Sequence, residues 1–169
     1  GVAAHAHAPG DAGAGVGVVG LCIAHLIPGT RFLLVEKQQR LAELAQANAK
    51  RNGLAARVAV ETADLTLPLS RLPSLASRVG TFEHVVVNPP FHGDASGTTA
   101  TDPLKASAHA MSEGSLDDWA RFLAAMAAPQ ATLTMIHRAD KLDEILAVLD
   151  RRFGALRLRP IHPREGQPA

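Results

Sequence analysis

The chain has 169 residues, a formal charge of +1, one cysteine and no tyrosine. That length suits one domain with a real core, and no apolar run approaches a membrane span. Near-neutral charge gives no general sign of nucleic-acid binding. The lone Cys22 cannot form an internal disulfide, and Gly1 to Gly10 lacks a signal-peptide pattern, so a reduced, cytoplasmic setting is expected.

In chain order, Ala8-Pro9-Gly10 reads as a loop and Asp11-Ala12-Gly13-Ala14-Gly15-Val16-Gly17 as a Gly-rich turn. A helix is predicted from about Val16 to Leu26, closed by Pro28-Gly29. Arg31 to Glu36 is a buried strand ending in an acid. Gln38 to Arg51 is a helix with Leu41, Leu44, Ala45 and Asn48 on one face, closed by Asn52-Gly53. Arg57 to Glu61 is a strand, and Pro68 to Val79 has room for a short helix. Glu83 to Val87 is a strand, followed by a long loop of small polar residues from His92 to about Ser112. Ser115-Leu116-Asp117-Asp118 resembles a capping box and starts a helix through Ala127, in which Trp119, Phe122 and Leu123 belong to the core. Thr132 to His137 is a strand, Lys141 to Arg152 an amphipathic helix and Leu156 to Ile161 a last strand. Strand and helix alternate, so the expected fold class is α/β: one domain with a doubly wound, mostly parallel, Rossmann-like sheet.

Asn88-Pro89-Pro90-Phe91 is the stretch that points to chemistry. It follows the β-branched run Val85-Val86-Val87, so it sits at the carboxyl end of a strand, where open α/β sheets bind ligands. The prolines fix the backbone and hold Asn88 extended. The Asn88 side-chain amide and the Pro89 carbonyl then offer two acceptors to one NH2 group. Such a group is a poor nucleophile when its lone pair is delocalised. Two acceptors holding its hydrogens favour a more tetrahedral nitrogen and aim its lone pair, which is catalysis by positioning and electrostatics. Phe91 offers a flat face for a stacked base. The plain structural alternative is a rigid turn after a core strand.

Two cofactor readings compete at the Gly-rich turn. Gly15-Val16-Gly17-Val18-Val19-Gly20 matches the dinucleotide fingerprint, with Glu36 near the usual acid position about 20 residues on, which fits a nicotinamide oxidoreductase. Alternatively, Asp11-x-Gly13-x-Gly15-x-Gly17 lets the amino-acid part of S-adenosylmethionine lie against the backbone, with Asp11 facing its ammonium. Glu36 binds ribose hydroxyls in either case. Asp64, after the third strand, can accept from an adenine amine while the Leu65 N–H donates. These positions and Asn88 follow successive strands on one edge of the sheet.

In that order, the Asp-x-Gly-x-Gly segment, Glu36, Asp64 and Asn88-Pro89-Pro90-Phe91 resemble class I S-adenosylmethionine-dependent methyltransferases that act on planar amino groups. The later half resembles the bacterial tRNA1(Val) adenine N6-methyltransferase group. The stretches that carry this are Ala108-His109-Ala110, Thr132 to Arg138, Lys141 to Leu146 and Arg157 to Pro163. The resemblance implies S-adenosylmethionine as cofactor and an RNA substrate, tRNA first. It implies cofactor contacts from Asp11, Gly13 and Gly15, from Glu36 and Asp64, and from the adjoining Ala14, Lys37, Leu65 and Asn88. Asn88, Pro89, Pro90 and Phe91 become the catalytic segment. The motif serves other acceptors equally: guanine N2 in ribosomal RNA, as Phe91-His92-Gly93 suggests, or glutamine N5 in a release factor. An inert RNA- or cofactor-binding module is a further alternative.

The chain departs from that family at two places. Only Ala8-Pro9-Gly10 precedes Asp11 where an apolar first strand is expected, and the chain stops at Gln167-Pro168-Ala169 where another strand is expected. The domain, 1–169, is therefore expected to be incomplete at its first strand and its C-terminus. The eight histidines have no ligand spacing, so no metal is expected. Arg138, Arg151, Arg152, Arg157, Arg159 and Arg164 suggest a local basic face for RNA, or equally solvated surfaces. Cys22 is expected to be a buried small apolar residue.

Overall fold

The computed structural model describes residues 9–89 and 116–162. Pro90, Phe91, the long loop, Ser115, the N-terminal histidines and Arg164 lie outside the described residues.

Among the described residues, five parallel strands form one sheet in the order β3-β2-β1-β4-β5. They are β1 (Gly10–Ala12), β2 (Phe32–Glu36), β3 (Val58–Thr62), β4 (Phe82–Val87) and β5 (Ala127–Met135). Helices α1 (Val18–Leu26), α2 (Gln39–Arg51), α3 (Pro73–Ala76), α4 (Leu116–Met126) and α5 (Leu142–Leu149) accompany them, with short 3-10 turns at Leu69–Arg71 and Ala139–Lys141. This is the doubly wound α/β fold expected from the alternation of elements.

Strand β2 is buried along its whole length, as a strand covered on both faces must be. Its alternate residues divide between two cores. Phe32 and Leu34 pack with Leu21 and Ala24 of α1 and Ala45 and Ala49 of α2. Leu33 and Val35 pack on the other face with Leu75 of α3 and Trp119, Phe122, Leu123 and Met126 of α4. The expected core role of Trp119, Phe122 and Leu123 thus holds. The buried face of α2 is Ala42, Ala45 and Ala49, and Leu44 is 46% exposed, so the inward face is rotated from the one expected.

The first correction concerns β1. Pro9-Gly10-Asp11 is not only loop: Gly10, Asp11 and Ala12 are the middle strand, paired with β2 on one side and β4 on the other. Glycine and aspartate have poor strand propensity, but propensity yields to context when both edges are occupied. Pro9 stands just before the strand, where its missing N–H costs nothing, and its carbonyl accepts from Leu33 N at 3.1 Å. Gly10 leaves room for Phe82, whose ring atoms lie 3.1 Å from where a Cβ would be.

The second correction concerns Leu156 to Ile161, which is not a strand. The alternating pattern is present, but Leu156, Leu158 and Ile161 are 50%, 71% and 67% exposed, and Pro160 lacks an N–H for a ladder. The third is Cys22, which is exposed. Helix α1 is apolar nearly all round, so its sequence does not say which side faces inward. At β5 the regular pairing with β4 runs through Thr132 to Met135, as expected. The strand starts earlier, at Ala127, across an irregularity that contains Gln130 at φ 66°.

Candidate active site

The pairing register aligns the strand ends. Ala12 lies opposite Val35 on one side and Val87 on the other, and Val87 lies opposite Met135. The next residues, Glu36, Gly13, Asn88 and Ile136, therefore form a row across the carboxyl edge of the sheet. Neighbouring strands are about 4.8 Å apart, so Gly13 and Asn88 leave adjacent strands side by side. The chain order reverses between β1 and β4, and this switch point is where open α/β sheets bind ligands.

The Gly-rich loop turns sharply after β1. The Gly13 and Ala14 N–H groups both donate to the Val35 carbonyl, at 2.9 and 3.0 Å. Gly13 has φ +71°, and a Cβ there would lie 2.7 Å from Trp119 Cη2. Gly20 packs against β2, with a Cβ position 2.3 Å from Leu34 Cδ2. Gly15, by contrast, has φ +55° and nothing within 4 Å of its Cβ position. It is the one of these three glycines at which a ligand could approach the backbone.

Glu36 is 7% exposed and fastens this loop to β2. Its Oε2 accepts from Gly15 N at 2.8 Å and its Oε1 from Gln38 N at 2.9 Å. A carboxylate has about four acceptor sites, so these two bonds leave capacity for hydroxyl donors. Asp64 follows β3. Its Oδ1 accepts from Thr66 N at 3.0 Å and Thr66 Oγ1 at 2.7 Å, and its Oδ2 lies 2.8 Å from Lys37 Nζ. Burial opposes its ionisation, but the bonds from Lys37 and Thr66 outweigh that and hold its pKa below the ordinary value. Leu65 beside it is buried.

Asp11 lies inside β1 rather than in the turn. It is 4% exposed, and its Oδ2 accepts from Gly20 N at 3.1 Å. Burial pushes its pKa up to about 6; the Gly20 bond works against this and nearby Glu36 adds to it. Asn88 is exposed, whereas Pro89 is fully buried. Asn48 went unnoticed as a site residue: its Nδ2 donates to the Val16 carbonyl at 3.1 Å, so α2 also braces the loop. The only hint in sequence is a polar residue on an otherwise apolar helical face.

The Arg-rich C-terminal part is partly neutralised. Arg152 pairs with Asp117 of α4 at 2.9 Å, and Arg138 forms two bonds to Asp140. Arg157 and Arg159 are exposed. Among the described residues, no three His, Cys, Asp or Glu side chains gather as a metal site needs, and no helix is long and apolar enough to cross a membrane.

The family model of the methyltransferase small domain matches residues 3–117, which include the Gly-rich loop, Glu36, Asp64 and Asn88 to Phe91. The chain belongs to that family. S-adenosylmethionine is its cofactor, and membership sets aside the nicotinamide reading of the same glycines. The residues present suit that cofactor: an open backbone at Gly15 and carboxylates at the ends of β2 and β3. The methyltransferase domain resembles protein Atu636 of Agrobacterium tumefaciens, described as a predicted O-methyltransferase. The two are 29% identical with a TM-score of 0.76, over 99% of this chain and 72% of that one. It is also 33% identical, over 81 residues, to a release factor glutamine methyltransferase of Moorella thermoacetica. That match spans 48% of this chain and only 26% of the relative's length. A precorrin-6y C5,15-methyltransferase of Geobacter metallireducens shares the fold, at 16% identity and a TM-score of 0.58, over 87% of this chain and 62% of that one.

Proposed function

We propose that this methyltransferase domain acts on a planar amino group, first of all the exocyclic amine of a base in RNA, with adenine N6 of tRNA as the leading acceptor. The observation that carries the proposal is the position of Asn88. It stands one residue beyond β4, beside the loop that opens one residue beyond β1. When bound, S-adenosylmethionine would supply a methyl group on a sulfonium, with a neutral thioether as the leaving group. Asn88 and the Pro89 carbonyl accept the two N–H bonds of the acceptor amine and turn its lone pair toward that methyl carbon. As the N–C bond forms, the nitrogen sheds a proton to water. No strong base is required, because the work is orientation and dipolar stabilisation. Phe91 supplies the stacking face.

The tRNA assignment is supported by the likeness of the later stretches, Thr132 to Arg138 and Arg157 to Pro163, and by the exposed Arg157 and Arg159. A second reading, transfer to a glutamine amide, is supported by the match to the Moorella thermoacetica protein. The test is methyl-labelled S-adenosylmethionine offered with unmodified tRNA, ribosomal RNA and release factor in parallel. Label recovered as N6-methyladenosine from tRNA is the expected result. Label in guanosine, in protein or on an oxygen moves the substrate, and none at all refutes the proposal. Asn88→Ala should slow transfer on the order of a hundredfold, as losing one preorganised polar group does, with cofactor affinity nearly unchanged. An unchanged rate would refute the role of Asn88.

A further inference from the structure

Helix α1 has a defect at its start. Its N-cap is Gly17, which has no side chain, and its first turn contains no acidic residue. A helix leaves its first N–H groups without intrahelical partners, and an N-cap side chain normally accepts from the second or third of them. Gly20 is the third residue of α1, and its N–H is taken by Asp11 Oδ2 at 3.1 Å. The acceptor comes from nine residues upstream, on the neighbouring strand. Register explains why it can reach. Asp11 pairs with Leu34 and Val86, so its side chain lies on the sheet face covered by α1. A carboxylate is also the favoured charge at a helix N-terminus.

We propose that Asp11 is a positioning residue: it serves as the N-cap of α1 from within β1 and holds the cofactor loop through Gly20, rather than pairing with the cofactor's ammonium group. This rests on the reading of the loop as the cofactor cradle. Asp11 is 4% exposed, and the segment from Ala12 to Val19 spans its two attachments, its own place in β1 and Gly20 in α1. The open Gly15 lies within that span. Asp11 thus fixes where the open backbone stands.

The test uses the full chain with Asp11→Asn, which keeps an acceptor oxygen but no charge, and Asp11→Ala, which keeps neither. Each is titrated by calorimetry with S-adenosylhomocysteine and with the analogue in which the amino group is replaced by hydrogen. Exchange of the Gly20 amide is followed by NMR. The expected pattern is affinity within about threefold for Asp11→Asn, and a roughly tenfold loss for Asp11→Ala, the scale of a lost cap. The factor should be the same for both ligands, with Gly20 exchanging faster in Asp11→Ala alone. A loss in Asp11→Asn confined to the ligand that carries the amino group would overturn the proposal, because it marks an ammonium contact. Equal Gly20 protection in Asp11→Ala would overturn the cap. If Asp11→Ala does not fold, Asp11→Asn decides between the two by its affinities and its Gly20 exchange. If the wild type binds neither ligand, the cradle reading fails, and Gly20 exchange still judges the cap.

Discussion

Gly15 and Gly20 sit in one fingerprint, yet the structure gives them different work, and alanine at each should separate cofactor binding from folding. A Cβ at Gly15 meets nothing within 4 Å, so the cost of Gly15→Ala is the left-handed backbone at φ +55°, about 1–2 kcal/mol. For a chain of this size that lowers Tm by roughly 2–8 °C. The same methyl group fills the space where the loop backbone is open, so affinity for S-adenosylhomocysteine should fall at least about tenfold, as when one well-packed contact becomes a clash. At Gly20, alanine should gain up to about 1 kcal/mol of helix propensity. It also places a Cβ 2.3 Å from Leu34 Cδ2 and 3.1 Å from the Phe32 ring, and both side chains are buried. Overpacking at such a site costs about 1–3 kcal/mol, so the clash outweighs the propensity gain and Gly20→Ala should lose stability. Its cofactor affinity, once folded, should stay near wild type. Thermal unfolding followed by circular dichroism and calorimetric titration give the two numbers for each variant. Wild-type affinity in Gly15→Ala would refute the cradle, and a more stable Gly20→Ala would refute the helix–sheet contact.

The raised pKa of Asp11, about 6 against 3.8, means the folded state binds its proton more tightly than the unfolded state. Stability should therefore fall as pH rises from about 4 through 6, by about 2 kcal/mol over pH 4–7, and Asp11→Asn should flatten that slope and be no less stable at pH 7; urea unfolding across pH 4–7 measures it. Asp64 acts in the opposite sense: its lowered pKa contributes stability that is lost only as pH drops below 3.8, so the two limbs are separable in one series. Lys37→Ala removes an ion pair whose lysine is 54% exposed, so stability should change by less than about 1 kcal/mol, while the Asp64 carboxyl titrates at higher pH by NMR. An unmoved Asp64 titration would show that Thr66 alone holds it ionised.

Strands β2 and β4 were legible in sequence because each contains a short apolar run, Phe32 to Val35 and the β-branched Val85 to Val87. The helices were legible where their period is clear, and α1 only as an element, since a helix apolar on all sides does not declare its inner face. Strand β1 was hidden because nothing in Gly10-Asp11-Ala12 is apolar enough to mark a core strand. It is buried by what its neighbours do: Phe82 fills the space above Gly10, and β2 and β4 take up both edges. The false strand at Leu156 to Ile161 is the converse. There the alternation is present and the partner is not among the described residues. Single-chain patterns report side-chain burial, whereas a strand exists only as a pair.

The site followed the same division. The place of Glu36, Asp64 and Asn88 at the carboxyl edge was readable because each ends or follows a predicted strand, and a parallel sheet brings such ends to one edge. The bonds that hold that edge in shape were not readable: Asp11 to Gly20, Asn48 to Val16 and Glu36 to Gly15 join residues 9, 32 and 21 positions apart. The last two end on the loop between β1 and α1, the first joins the two elements that flank it, and none involves Asn88. On the proposed reading, the cofactor side of the edge is braced by these bonds, and the acceptor side by the pairing of β4 with β1 and β5. Removing an acceptor from these braces, as Asp11→Ala does, should alter cofactor affinity and stability together, and changes at Asn88 should alter transfer alone. On that reading the separation follows from the strand order, because the switch point between β1 and β4 divides the braced loop from Asn88.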